Sequence, residues 1–113
     1  MDNSVTLAGT LLHDPLSKRV GEDAKATSCR FTLGIKRTWK DRQSGEDKVF
    51  STYHEIVCYR ELATNVLESC RKGDSVLVVG RLNTRKVHDA NIVTEIIADN
   101  VALNLSSGPI PFD

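Results

Sequence analysis

Between Arg60 and Arg71 the apolar residues Leu62, Ala63, Val66, Leu67 and Cys70 recur at the i, i+3, i+4 spacing of an amphipathic helix, and no other stretch of the 113-residue chain keeps that period convincingly. The rest reads as strand, so the chain has to fold as a sheet that accommodates one helix. Gly73 is placed to end that helix. Residues 3–11 (NSVTLAGTL) are rich in β-formers and stop at His-Asp-Pro, where proline cannot continue a ladder. From Ser28 to Thr38 the pattern alternates, with Cys29, Phe31, Leu33 and Ile35 on one side and Arg30, Thr32, Lys36 and Thr38 on the other. Residues 40–48 (KDRQSGEDK) are polar around a central Ser-Gly, which predicts a long flexible hairpin with Trp39 at its base. The returning strand, 49–59, carries Phe50, Tyr53, Ile56 and Tyr59. Phe31 and Phe50 read as core. Ser75–Val87 opens on Val-Leu-Val-Val and contains Gly80, a position suited to a bulge, and Ile92–Leu103 is the last strand.

Three strands, one helix and two more strands make an all-β chain with one helix, the order of the OB-fold: a five-stranded Greek-key barrel with its helix between strands 3 and 4. The expected domain is 1–104, with 105–113 a short flexible tail too rich in turn residues to join the core. The length suits one domain. Neither a membrane span nor a signal-peptide pattern is visible, so a cytoplasmic location is expected. Cys29, Cys58 and Cys70 form no CxxC pair and match no histidine spacing, which favours buried reduced thiols over a disulfide framework or a zinc site.

Fifteen Lys and Arg balance fifteen Asp and Glu, and zero net charge counts against a nucleic-acid partner. Their distribution counts the other way. Nine cations and five acids lie from Lys18 to Lys48, and Arg81, Arg85 and Lys86 stand in a run with no acid between Asp74 and Asp89. A locally positive face on a neutral molecule and a plain solvated surface both remain compatible with this.

Several segments carry a resemblance to the bacterial single-stranded DNA-binding protein family: SVTLAGTLLHDP, RTWKDRQSGEDK, YRELATNVLESCRKGDSVLVVGRLNTRK and VTEIIADNV. The third is the most specific, an aromatic, a Leu-Ala helix, Lys-Gly, an apolar strand and then Gly-Arg-Leu-x-Thr-Arg. The resemblance runs from Asn3 to about Leu103 and implies a protein that holds single-stranded DNA of any sequence, with no cofactor or metal, in replication, recombination and repair. Bases stack on aromatics because every base has a π-face, and cations track the phosphates.

Trp39, Tyr53 and Tyr59 fall where the family carries its stacking aromatics. Lys36, Arg37, Lys40, Arg42 and Lys48 around the hairpin, with Arg81, Arg85 and Lys86 on the fourth strand, are the expected phosphate contacts. His54 matches a position at the family's subunit interface, a histidine satisfied within its own strand being the alternative; the family generally works as a homotetramer. Pro111 and Phe112 resemble the family's partner-recruiting tip, through which replication or repair proteins would bind, but the long linker is missing and Asp113 follows Phe112. Val20 and Val87 stand where many members have aromatics, and Arg60-Glu61 where they often have Gly-Lys, so weaker binding or an accessory role is expected.

Two rivals share the fold: a primosome-type replication accessory, and an OB domain whose aromatics meet a protein partner. Paired carboxylates, a Ser-His or Cys-His arrangement and a phosphate-cradling glycine loop are not visible, so no enzymatic activity is expected.

Overall fold

The computed structural model describes residues 3–19, 27–88 and 91–109. Within them the chain forms β1 (Ser4–Leu11), β2 (Leu16–Arg19), β3 (Thr27–Lys40), β4 (Asp47–Tyr59), α1 (Arg60–Ser69), β5 (Ser75–Lys86) and β6 (Ile92–Leu103), then a 3-10 turn at Leu105–Ser107. Val20, Asp89, Pro111 and Phe112 lie outside the described residues.

Pairing runs in a ring. β3 is antiparallel to β4, and β4 runs parallel to β6 at Ile56–Ile96 and Val57–Ile97. β6 pairs with β5, and β5 with β1. β1 then returns to β3 at Thr10–Gly34 and Leu11–Leu33, closing the barrel. Closure depends on Gly9, where a Cβ would stand 2.6 Å from the Gly34 carbonyl oxygen; a Cβ on Gly34 would meet only the end of the exposed Leu12 side chain, which can move aside. At Gly80 the β5–β6 register shifts as the sequence suggested.

The five-stranded OB barrel is present, with one addition. β2, four residues of which three are polar, pairs along the first rungs of β3 outside the ring, so the helix falls between the fourth and fifth strands counted along the chain. A segment that short carries no alternation to read. The helix also ends earlier than its apolar spacing predicts, at Ser69, with Cys70 extended as its C-cap. Gly73, at φ 93°, shapes the following turn instead, where its N–H donates to the Leu11 carbonyl at 2.9 Å.

The alternating face of β3 supplies the core. Phe31 and Leu33 are fully buried with Ile56, Val76, Val78 and Ile96, and α1 adds Ala63 and Val66. Cys29 and Cys58 sit opposite one another across β3 and β4, and all three cysteines are buried and unbridged. A hydrogen bond with Cys29 and burial together push the Cys58 thiol up, and burial pushes Cys70 up.

Beyond the core the β3–β4 ladder keeps going. Every residue from Lys36 to Lys40 and from Asp47 to Ser51 is exposed, so these rungs form a two-stranded arm with solvent on both faces. A second arm, shorter, is made where β5 and β6 continue from Arg81–Ile97 to Lys86–Ile92. The arms raise the radius of gyration to 16.3 Å, against about 13 Å for a compact domain of this length.

One backbone position is strained. Arg60, the first residue of α1, has φ 58°, in the left-handed region that costs a side-chain-bearing residue about 1–2 kcal/mol. This is the position where the resembling family often carries glycine. Replacing Arg60 with Gly relieves that strain and gives back part of it as unfolded-chain entropy. Arg60→Gly is therefore expected to raise stability by about 0.5–1 kcal/mol, seen as a higher urea midpoint with an unchanged m-value.

Candidate nucleic-acid interface

The β3–β4 ladder is continuous over thirteen rungs, from Ser28–Tyr59 to Lys40–Asp47, so register settles which side chains share a face. Arg37, Trp39, Lys48 and Phe50 share one face of the arm. Lys36, Thr38, Lys40, Asp47, Val49, Ser51 and Tyr53 share the other, which continues through Val57 to Tyr59. The strand ends at Lys40, so Trp39 stands near the tip of the hairpin rather than at its base.

All three expected stacking residues reach solvent: Trp39 is 48% exposed, Tyr53 65% and Tyr59 46%. They do not form one cluster. Eleven rungs separate Trp39 from the Ser28–Tyr59 rung, about 37 Å along the strand, with Tyr53 between them. Tyr53 stands opposite Gly34, whose missing side chain leaves the ring unobstructed by a cross-strand neighbour. It lines both a groove of about 480 Å³ shared with Gly9, Gly34, Lys36 and Ser51, and a smaller cleft between the arms shared with His54, Leu82 and Glu95.

Phe50 corrects the sequence reading. It is 44% exposed and meets Trp39 edge-to-face, ring centroids 5.1 Å apart at 71°. Its parity is that of the core residues Ile56 and Cys58, but its cross-strand neighbour is Arg37, past the point where the barrel ends. Periodicity gives the face of a strand and not where the core stops. Phe31 is buried as expected.

The tip between the strands is ordered by Asp41. Its carboxylate accepts from the Gln43 N–H at 3.0 Å and the Ser44 hydroxyl at 3.2 Å, while its own N–H donates to the Glu46 carbonyl at 2.8 Å. Arg42 rides on this turn. Lys48 stands 3.6 Å from Glu46, both side chains largely exposed, a pair that contributes little. Asp41 and Glu46 are thus occupied, and Lys36, Arg37 and Lys40 are exposed along β3.

The second arm differs. Arg81 lies 3.7 Å from Asp99, and Arg85 Nε donates to Glu95 at 3.3 Å. Glu95 is buried, its side chain 2% exposed, and takes further hydrogen bonds from Arg30 at 3.1 Å and Asn83 at 3.3 Å. One carboxylate thereby ties β3, β5 and β6 together at the root of the arms. Of the three expected phosphate contacts on β5, only Lys86 has no acid partner among the described residues. The sequence reading missed Glu95, because a carboxylate across the sheet is invisible in the run Arg81–Lys86. His54 Nε2 lies 3.1 Å from Thr52 Oγ1 of its own strand. Among the described residues no group of three or more His, Cys, Asp and Glu is arranged to hold a metal ion.

Residues 2–104 match the model of a family described as the single-strand binding protein family. The chain belongs to that family. Among solved structures, a Plasmodium falciparum SSB in complex with ssDNA is 28% identical, with a TM-score of 0.80, covering 90% of this chain and 94% of that one. A small single-stranded DNA-binding protein from Streptomyces coelicolor is 23% identical, with a TM-score of 0.78 over 96% of this chain and 98% of that one, and shares the fold. The family match spans both arms as well as the barrel, and in this single-strand binding chain β3 and β4 continue past the core.

Burial pushes the Glu95 carboxyl up, but the Arg30, Arg85 and Asn83 hydrogen bonds outweigh it and hold the group below its ordinary value. A carboxylate depressed in the folded state contributes stability above its unfolded pKa of about 4.3 and loses it as pH falls through the lower folded value. Glu95→Gln should cost on the order of 2 kcal/mol at pH 7, less than a fully buried pair because Arg30 and Arg85 remain 34% and 44% exposed. Urea midpoints of wild type and variant should converge as pH drops below about 4.

Proposed function

We propose that this chain binds single-stranded DNA without sequence preference, stacking bases on Trp39, Tyr53 and Tyr59 and neutralising phosphates mainly with Lys36, Arg37, Lys40, Arg42 and Lys48. One observation carries the reading: the chain's one Trp and both Tyr are all about half exposed or more, along a single ladder whose outer half is lined with cations. Exposing three large rings to water serves no core, and an apolar ring beside a cation is what a base and its phosphate require. Family membership and the likeness to a structure described as an ssDNA complex support the same ligand.

On the second arm Lys86 is the more available contact. Arg85 reaches a phosphate only by sharing itself with the buried Glu95, which lowers its contribution to counterion release, whereas the exposed Arg81–Asp99 pair, like Lys48–Glu46, holds its cation weakly. The proposal assigns no catalytic step and no cofactor. Its setting is protection of single strands in replication, recombination and repair in a bacterial cytoplasm, by a homo-oligomer, most simply a tetramer. Assembly is supported by a small exposed apolar patch on the outer face of β1, β5 and β6, where register places Leu77 between Ala8 and Ala102, with Val79 two residues along between Thr6 and Asn100. Several weak grooves joined in one particle gain avidity through effective concentration. His54 in the cleft and Phe112 at the tail are the proposed contacts to other subunits and to replication or repair proteins.

The test is a titration with oligothymidylate at rising salt, followed by the fluorescence of the sole tryptophan. Quenching of Trp39 and a steep fall of affinity with salt are expected, with mixed-sequence strands bound alike and duplex bound far more weakly. Arg37→Ala should weaken binding to every sequence equally and lower the log–log salt slope by about one. A loss confined to one sequence contradicts the proposal.

A further inference from the structure

Register divides the exposed aromatics of the β3–β4 ladder between its two faces. Tyr53 and Tyr59 point to one side of the ladder; Trp39 and Phe50 point to the other. On that second side the four neighbouring positions alternate, Arg37 opposite Phe50 and Trp39 opposite Lys48, a checkerboard of cation and ring. The two rings meet edge-to-face, the geometry aromatic pairs favour, and at 48% and 44% exposure both keep surface available. Nothing in the core needs them there.

The edges of the arm are open as well. β1 meets β3 only at Gly34 and Leu33, and β6 meets β4 only at Ile56 and Val57. From Ile35 to Lys40 and from Asp47 to Glu55, no third strand pairs along the outside of the arm among the described residues. The β4 edge at Tyr53–Glu55 borders the cleft to the second arm, so the β3 edge beyond Ile35 is the one over which a flexible polyanion can pass from face to face.

We propose that Trp39 and Phe50 together form a second base-stacking site for the single strand, with Arg37 and Lys48 as its phosphate contacts, on the face of the arm opposite Tyr53 and Tyr59. A bound strand then crosses an open edge and engages both faces. The inference rests on the single-strand reading above and deepens it: Phe50 becomes a contact residue, and the arm is gripped on two sides instead of being laid against a strand on one.

Phe50 is exposed on a solvated ribbon, so its replacement leaves the barrel intact. Fluorescently labelled oligothymidylates, from about 5 nucleotides to about 35, would be titrated against wild type, Phe50→Ala, Phe50→Leu, Tyr53→Ala and the Phe50→Ala/Tyr53→Ala double variant, with native mass recorded for each. With long oligomers Phe50→Ala should weaken binding roughly five- to 150-fold, the range of one lost stacking contact. Phe50→Leu should weaken it similarly, because leucine keeps apolar bulk but has no π-face, and the double variant should lose about the product of the single losses. Rescue by Phe50→Leu would make Phe50 a mere brace and overturn the site. So would wild-type affinity in Phe50→Ala at every length, or a change of native mass with no change in affinity per subunit. If wild type itself fails to bind any oligomer at low salt, the single-strand reading falls and takes this inference with it; binding by wild type with no effect at Phe50 removes the inference alone.

Discussion

The structure depends on a ladder that outlasts its core. Thirteen continuous rungs join β3 to β4, and only those up to Ile35–Thr52 border the barrel; the rest stand in water. An isolated two-stranded hairpin is marginal in water, so the outer rungs hold because the inner ones are fixed by Phe31, Leu33 and Ile56. Cross-strand contact adds to this at the far end, where the Trp39–Phe50 pair supplies about 0.5–1.5 kcal/mol beyond its buried area. One element thus does two jobs at different points along its length: its alternation fills the core at one end and displays rings and cations at the other.

Closing the barrel at its crowded seam is what frees that outer half. Gly9 lets β1 approach β3 for two pairs only, and the seam then stops, leaving the edge of β3 beyond Ile35 without a paired strand among the described residues. The β4–β6 junction is equally brief. Both arms diverge from these two short contacts, with Tyr53 at the parting and Glu95 bonded across the root. The single carboxylate holds Arg30 and Arg85 in one cluster that would otherwise repel, which keeps the root rigid at the cost of part of the positive charge on the second arm.

The strand order, the helix and the bulge at Gly80 were all legible in the sequence, because each rests on local periodicity or on one residue's backbone freedom. What was not legible depends on distance. Phe50 has the parity of a core residue and lies beyond the core, which no period reveals. Arg81 and Arg85 read as unopposed cations because Asp99 and Glu95 approach them from the neighbouring strand rather than along their own. β2 is too short and polar to show alternation. Arg60 could be seen in the sequence to occupy a position often held by glycine, but only the backbone shows that the position is left-handed. The aromatics proposed for stacking were singled out through resemblance, and their division between two faces is visible only through register.

Amide hydrogen exchange across the whole chain, with and without saturating oligothymidylate, would test most directly whether the β3–β4 ladder and the second arm, rather than the wall at β1, hold the strand. Slowed exchange should concentrate in residues 35–41 and 47–59, with a weaker effect at 81–87, while the outer face of β1 at Ser4–Ala8 stays unchanged by the nucleic acid. Protection confined to β1 and the first half of β5, with both arms exchanging as in the unbound protein, would contradict it.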